Sequence, residues 1–180
     1  MNQDIRKKTE LMKKGISSLF FFPLLLLVIH STHAQQQSEK PRVLFVYDIL
    51  DDETSFFINT FRDEFRTLPC SIDELSIEQS KVSDMSKYDL LVLYSRVMAF
   101  NMKSPVRNWV KAIKSFDKKK VALMVTAYRW FNETHFREMT KLLNARNANI
   151  VDAVSMATKD LSDEQKRAKV HDSLVKTVNK

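Results

Sequence analysis

Short runs of apolar residues recur along the chain, each bounded by polar residues. The four strongest runs lie at 42–47, 90–94, 121–126 and 150–154. Apolar runs of this length are typical of β-strands that are buried on both faces of a sheet. A weaker run at 70–75 is expected to form a short strand at the edge of the same sheet.

Between these runs, apolar residues return at the three- and four-residue spacing of an amphipathic helix. The first stripe comprises Phe57, Ile58, Phe61, Phe65 and Leu68, and the second comprises Val106, Trp109, Val110, Ile113 and Phe116. Phe136, Met139, Leu142 and Leu143 mark a third helix, and Leu174, Val175 and Val178 mark a fourth. One helix is therefore predicted after each strand except the weak one.

Local signals for helix starts precede three of these stripes. Asp51 or Asp52 is expected to cap the first helix. Ser104 is a suitable N-cap for the second, and Pro105 suits the first helical position because it lacks only an N–H that would have no partner there. The segment 162–165 matches a capping box and is expected to open the last helix.

The predicted elements follow one another in the order β-α-β-β-α-β-α-β-α, and 180 residues suit one domain. Alternating strands and helices indicate an α/β fold with a parallel sheet covered on both faces and joined by right-handed crossovers. The polar segment 77–87 takes the place of a further helix, which is expected to be short or absent. In such sheets the loops at the carboxyl ends of the strands form the binding crevice.

The first 34 residues have the three-part pattern of a secretory signal peptide. The basic start consists of Arg6, Lys7, Lys8, Lys13 and Lys14. Residues 19–29 form the apolar core, and Thr32 and Ala34 are small residues suitably placed before a cut at Gln35. Met12 is an alternative translation start.

The chain is therefore expected to consist of a signal peptide at 1–34, a polar linker at 35–41 and one domain at 42–180. This division predicts an exported protein, either periplasmic or secreted. The alternative is a signal anchor that stays in the membrane, although about 20 apolar residues are needed to span a bilayer. A membrane is expected as a partner only in that second case.

Glycine is nearly absent, because the one glycine, Gly15, lies in the predicted signal peptide. A Gly-rich phosphate loop of any family is therefore excluded from the domain. Every backbone position with a positive φ must use Asn, Asp or a strained residue instead.

The formal net charge is +7, and the five basic and two acidic residues of 1–34 account for +3 of it, leaving about +4 for the domain. Lys118 to Lys120 form a basic triplet, which is expected in a solvated turn between a helix and a strand. No basic stripe is interleaved with aromatic residues, so nucleic acid is not predicted as a partner.

Several common kinds of chemistry are not indicated. Cys70 is the only cysteine, so no internal disulfide forms, although a bridge to another chain is an alternative. His135 and His171 lack partners at ligand spacing, so no metal site is predicted. A nucleophile elbow needs glycines that the domain does not contain. No catalytic residue is assigned, and whether the protein is an enzyme stays open.

The order and spacing of four segments resemble the flavodoxin-like family, over roughly residues 42 to 178. These segments are 42–47, 85–93, 102–110 and 119–126. The chain is most similar to the short type, which includes menaquinone-dependent protoporphyrinogen oxidases and stand-alone flavodoxin domains. The resemblance implies a three-layer sandwich with a parallel five-stranded sheet of order 2-1-3-4-5, and FMN at the switch point.

In that family the loop after the first strand wraps the FMN phosphate, using backbone N–H groups and a helix N-terminus. The matching loop here, 48–55, has no glycine and contains the carboxylates Asp48, Asp51, Asp52 and Glu53. Thr54 and Ser55 are the candidate phosphate donors. Because four carboxylates repel an anion, conventional FMN binding is expected to be lost. Carboxylates at a helix N-terminus have a simpler role as well, since they stabilise the helix.

The resemblance places the flavin ring between two further loops, at 95–103 and 127–134. Their candidate contacts are Ser95, Phe100, Ala127, Tyr128, Trp130 and Phe131. Aromatic side chains at a crevice suit a planar ligand. The alternative is that these aromatic residues simply pack over the strand ends. Trp130 is expected at the carboxyl edge of the sheet, near Phe100.

Response-regulator receiver domains share this predicted topology and carry acidic residues after the first strand. Thr126, Ala127 and Lys159 match their pattern loosely. However, Tyr94 and Ser95 stand where a receiver needs its phosphoacceptor aspartate, so this second resemblance is disfavoured.

Two functions follow as hypotheses. The first is an exported, degenerate flavodoxin-like domain that binds a small planar ligand or a protein partner. The second is an FMN-binding electron-transfer protein or oxidoreductase, in which Arg96, Lys103 or Arg129 supplies the positive charge. FMN is the candidate cofactor only in the second.

Overall fold

The computed structural model describes residues 39–77, 84–98, 104–129 and 132–179. Its contacts divide the chain into Met1–Glu39 and Lys40–Lys180, and the second unit holds every element given below. The predicted signal peptide lies outside the described residues. No helix within the described residues is long and apolar enough to cross a membrane.

Five strands and four helices follow one another in the described chain. The strands are β1 (Arg42–Tyr47), β2 (Ser71–Ser76), β3 (Leu90–Val97), β4 (Lys120–Ala127) and β5 (Asn149–Ala157). The helices are α1 (Asp52–Thr67), α2 (Pro105–Ala112), α3 (Asn132–Ala145) and α4 (Asp163–Val178). In the described part of the connection between β2 and β3, Met85–Lys87 form a 3₁₀ turn.

The strands form one sheet in the order β2-β1-β3-β4-β5, and all four neighbouring pairs are parallel. This is the strand order that the resemblance implies. All strands therefore begin at one edge of the sheet, the amino edge, and end at the other, the carboxyl edge. The order reverses between β1 and β3, which is where ligands bind in open α/β sheets.

Helices cover both faces of the sheet and make two apolar cores. On one face α2 and α3 pack against the sheet through Val106, Trp109, Val110, Met139 and Leu143. On the other face α1 and α4 do so through Phe57, Ile58, Phe61, Phe65, Val170 and Leu174. Each of these residues lies on a stripe of helical spacing or beside it, so burial of the apolar face accounts for the three layers.

The helix starts confirm the local signals. Asp51 is the N-cap of α1, and its side chain accepts from the backbone N–H of Thr54. Ser104 caps α2 with Pro105 in its first turn. The capping box at Ser162 opens α4, with both reciprocal bonds present. These signals are reliable because a cap involves only residues of the same turn.

Three strands are longer than the apolar runs predict. β4 extends by one residue at each end and so includes Ala127, which was expected in the following loop. β3 continues to Val97, so Ser95 and Arg96, expected in the following loop, belong to the buried strand. β5 continues to Ala157 instead of ending at residue 154. Polar residues can extend a buried strand when their polar atoms find partners, and the partners of Ser95 and Arg96 are described below.

The second helix is shorter than its stripe predicts. α2 ends at Ala112, so Ile113 and Phe116 lie in the chain that follows it, although both are fully buried. The apolar character of Ile113 and Phe116 therefore indicates burial in the core and not a continuation of the helix.

The expectation about positive φ is confirmed. Asp117, Lys118 and Asn147 have φ of 49°, 61° and 59°. The N–H of Lys118 donates to the carbonyl of Asn147 across 2.8 Å, which joins the two turns at the amino edge.

Candidate functional site

The N-terminus of α1 lies at the carboxyl edge, directly after β1, and both donors of Thr54 in its first turn are already in use. Asp51 Oδ1 accepts from the Thr54 N–H at 2.8 Å and from the Thr54 hydroxyl at 2.7 Å. The hydroxyl of Ser55 donates to the Asp51 carbonyl at 3.3 Å. The carboxylate of Asp51 therefore occupies the position that an anionic ligand would take at a helix N-terminus.

Arg96 reaches this helix end from β3, the strand beside β1. Its Nε donates to Asp51 Oδ2 at 2.9 Å, and its Nη2 pairs with Glu53. The side chain of Arg96 is only 6% exposed. Lys166 of α4 approaches the other oxygen of Glu53 at 3.7 Å. One ion network thus joins β3, α1 and α4.

The network keeps Asp51 ionised. Burial alone would raise the pKa of Asp51, but the bonds from Thr54 and the positive charge of Arg96 outweigh burial and lower it below its ordinary value. Asp51 is therefore an anion at neutral pH, and the charge of Arg96 is engaged by the carboxylates of α1.

A second buried polar group lies on the opposite face of the sheet. The hydroxyl of Ser95 is 2.6 Å from the hydroxyl of Ser104 and 2.9 Å from Nε2 of His135. These bonds join the end of β3 to the N-cap of α2 and to the first turn of α3. Burial, assisted by the charge of Arg107 and opposed by that of Glu138, lowers the pKa of His135 to about 4, so the ring is neutral at neutral pH.

The distance between Ser95 and His135 is within the reach of a nucleophile and its base. Both side chains are nevertheless completely buried, so no substrate reaches the serine hydroxyl in this structure. The bonds of Ser95, Ser104 and His135 instead hold the strand end to the two helices. Within the described residues, no cluster of His, Cys, Asp and Glu could hold a metal ion.

A further hydroxyl pair lies inside the sheet near the same edge. Tyr94 of β3 and Thr126 of β4 are 3.1 Å apart through their side-chain oxygens. Burial raises the pKa of Tyr94 far above its ordinary value, so its phenol stays protonated.

Exposed apolar side chains lie in the loops that follow β1 and β4. Among the described residues, the large apolar side chains that are well exposed are Ile49, Leu50 and Tyr128, at 49%, 36% and 54%. The phosphate-loop segment and one predicted ring loop thus both present apolar surface at the carboxyl edge.

The sequence-predicted site residues separate into three groups. Thr54, Ser95 and Ala127 are fully buried, and the last two lie within strands and not in the expected loops. Ser55 is half-buried and Tyr128 is exposed. Whether any of them contacts a ligand stays a prediction.

Phe100, Trp130 and Phe131 lie outside the described residues. The expectation that Trp130 lies near Phe100 therefore stays untested.

Sequence reasoning missed how three residues are used. Arg96 is one of three candidates for the positive charge in the second hypothesis, but its side chain pairs with the protein's own carboxylates. His135 was considered only as a metal ligand, and Ser104 only as a helix cap. A polar residue that directly continues an apolar run, as Ser95 does, is the available signal that a distant partner exists.

Comparison with known proteins identifies the architecture. No family model and no curated protein matches the sequence. A short-chain flavodoxin associated with a bacterial microcompartment matches with a TM-score of 0.60 and 18% identity, over 77% of this chain and 99% of its own. The chain has the flavodoxin-like fold.

Two further flavodoxins support this assignment of the flavodoxin-like fold. A variant flavodoxin from Fusobacterium nucleatum bound to flavin mononucleotide matches with a TM-score of 0.60 and 11% identity, over 79% of this chain and 97% of its own. Oxidised flavodoxin 2 from Bacillus cereus matches with a TM-score of 0.59 and 18% identity, over 77% and 98%. At such identities the likeness is one of fold.

Proposed function

We propose that this protein is a flavodoxin-like binding module, which takes a planar ligand at the carboxyl edge of its sheet without anchoring a phosphate there. The observation that carries this proposal is the use of both Thr54 donors by Asp51. A phosphate at the N-terminus of α1 would meet the carboxylate of Asp51 at the donors of Thr54.

The electrostatic repulsion between the carboxylates at the N-terminus of α1 and a phosphate is large enough to weaken binding. Two like charges about 4 Å apart cost roughly 1 kcal/mol in water and roughly 4 kcal/mol at an effective dielectric constant of 20. Asp51 and Glu53 each hold part of the charge of Arg96, and Asp52 beside them is exposed. The residues of this helix end therefore do not fit a phosphate dianion.

Apolar exposure supports binding at the same edge. Ile49 and Leu50 follow β1, and Tyr128 follows β4. Exposed apolar and aromatic groups around the switch point of an α/β sheet are suited to a flat, largely uncharged ligand.

The second candidate is an FMN-binding electron-transfer protein or oxidoreductase of the flavodoxin type. The fold comparison favours it more directly than the first candidate, because the similar structures are flavodoxins and one of them is bound to flavin mononucleotide. The carboxylates at α1 favour the first candidate. The two differ in how much of the affinity the phosphate supplies.

Titration with riboflavin and with FMN separates the candidates. A module that binds only the flavin ring should bind riboflavin and FMN weakly and with similar dissociation constants. Flavin or tryptophan fluorescence measures both titrations. The variant Trp130→Ala should weaken both equally, while Trp109→Phe, a change within the core, serves as the fluorescence control. A strong preference for FMN would overturn the first candidate. Binding of neither flavin would leave a protein partner as the ligand.

A variant that removes negative charge tests whether repulsion by the carboxylates is what excludes the phosphate. The double variant Asp51→Ser and Asp52→Gly keeps a capping hydroxyl but removes two carboxylates. If repulsion excludes the phosphate, it should bind FMN more tightly while riboflavin binding stays unchanged. The control variant Asp172→Ser removes a carboxylate from the exposed surface of α4 and should change neither the FMN affinity nor the riboflavin affinity. No gain in FMN affinity would mean that the shape of the loop, and not its charge, excludes the phosphate.

A further inference from the structure

The amino edge of the sheet carries a group of basic side chains, here called the amino-edge patch. It consists of Lys111, Lys114, Lys118, Lys120 and Arg146. Lys120 is the first residue of β4 and lies opposite Asn149, the first residue of β5. Since α2 and α3 run back from the carboxyl edge, their last turns bring Lys111 and Arg146 to the same edge.

Hydrogen bonds hold the segments of the patch together. Arg146 Nη2 donates to the Lys111 carbonyl at 3.1 Å, and the carbonyl of Arg146 accepts from the N–H of Phe116 at 2.7 Å. The N–H of Lys118 donates to the carbonyl of Asn147. The turn after α2 and the turn after α3 therefore form one surface.

Within the described residues, none of the five side chains of the patch is paired with a carboxylate. Lys119 differs from them, because its ammonium donates to the carbonyls of Ser86 and Tyr88. Asp117, the acidic residue of the same turn, accepts from the Ser115 hydroxyl at 2.7 Å.

The backbone at the centre of the patch is strained. Lys118 has a φ of 61°, in the left-handed region that residues with a Cβ disfavour. Strained positions of this kind concentrate where a side chain has a functional task. Here the strained turn carries an exposed lysine.

We propose that the amino-edge patch docks the domain on an anionic lipid surface. The chain enters the domain at this edge, because β1 begins there and the carbonyl of Pro41 accepts from the N–H of Ser71 at 2.9 Å. Only residues 30–38 separate the described chain from the apolar segment 19–29. The amino edge is therefore separated from the apolar segment by only a short stretch of sequence.

Docking in this way orients the domain. The helix end with Asp51 and Glu53 lies at the opposite edge, where Arg96 and Lys166 already pair with both carboxylates. The carboxyl edge then faces solution and stays open to a ligand. The proposal does not depend on which ligand that edge takes.

Sedimentation of the full chain with vesicles tests the proposal. Vesicles of phosphatidylcholine alone report the contribution of residues 1–34, and vesicles that also contain phosphatidylglycerol add the electrostatic part. The triple variant Lys114→Gln, Lys118→Gln and Lys120→Gln should bind the anionic vesicles roughly 100-fold more weakly, at about fivefold per lysine. Its binding to neutral vesicles should not change, and raised salt should abolish the difference between the two vesicle types.

A matched control removes the same charge elsewhere. Arg137, Lys159 and Lys169 are exposed and lie outside the patch, and changing all three to Gln should have little effect on vesicle binding. An equal loss in this control would overturn the proposal, because net charge alone would then explain the binding. A wild-type chain without preference for phosphatidylglycerol would also overturn it. Tighter binding to duplex DNA than to anionic vesicles at the same salt concentration would also overturn the proposal.

Discussion

Arg96 Nε donates to Asp51 Oδ2 across 2.9 Å and so joins the end of a central strand to the N-cap residue of the neighbouring helix. The bond joins residues that are 45 positions apart in the chain. It uses the cap of α1 as an internal anion and makes an arginine inside the sheet compatible with burial, because a buried charge needs a hydrogen-bonded partner.

Removing Arg96 should therefore destabilise the protein strongly. In Arg96→Met the carboxylate of Asp51 loses its ionic partner and that of Glu53 keeps only Lys166. Breaking a buried ion pair costs about 3–5 kcal/mol, and the loss here should approach the lower end because both carboxylates are partly exposed. Arg66→Met removes an exposed arginine paired with Asp63 and should cost no more than about 0.5 kcal/mol. Urea unfolding of both variants measures the difference. Equal losses would contradict a stabilising role for the network.

The folded state should lose stability between about pH 6.5 and pH 4. His135 has a pKa lowered to about 4 by burial, whereas an unfolded histidine titrates near 6.5. In this window the unfolded chain binds the proton and the folded one does not, so stability falls as pH falls, by ~1.4 kcal/mol per pH unit at most. Above pH 6.5 the contribution is fully present.

The variant His135→Gln tests this assignment, because an amide can still bond to Ser95 but does not titrate. Its free energy of unfolding should vary less with pH between 6.5 and 4 than that of the wild type. His171→Gln, a change at an exposed histidine paired with Glu64, serves as control. An unchanged slope in His135→Gln would assign the pH dependence to other groups.

Glycine at position 118 should stabilise the protein. The left-handed conformation of Lys118 costs roughly 1–2 kcal/mol with a Cβ, and glycine avoids this cost but has a more flexible unfolded state, so Lys118→Gly should gain about 0.5–1 kcal/mol. Lys120→Gly, within a strand, should lose a similar amount. Thermal unfolding of the two variants should show shifts of opposite sign, and a loss in both would contradict the account of backbone strain.

The exported protein should begin at Gln35. The expectation rests on the short apolar segment 19–29 followed by Thr32 and Ala34. Intact-mass measurement of protein recovered from outside the cytoplasm checks it. A mass of 21.1 kDa, that of the full chain, would show that the leader is kept and that the domain is tethered to the membrane.

Much of the architecture was predictable because it depends on local patterns. A strand buried on both faces needs an uninterrupted apolar run, so 42–47 and 121–126 could be read directly. The caps at Asp51 and Ser104 were predictable because capping involves residues within one helical turn. The absence of glycine likewise predicted that residues such as Asp, Asn or a strained side chain would take the left-handed conformation, and the structure shows that these residues are Asp117, Lys118 and Asn147.

Only the tertiary structure decided how the polar residues at the ends of the strands are used. Ser95 and Arg96 looked like the start of a loop, since nothing near them in sequence satisfies a buried hydroxyl or guanidinium. Their partners, His135 and Asp51, lie 40 and 45 positions away. The sequence by itself determined which segments are apolar enough to form the sheet. Folding decided which distant polar groups meet at its carboxyl edge, because a hydrogen bond depends on distances of about 3 Å that no spacing along the chain specifies.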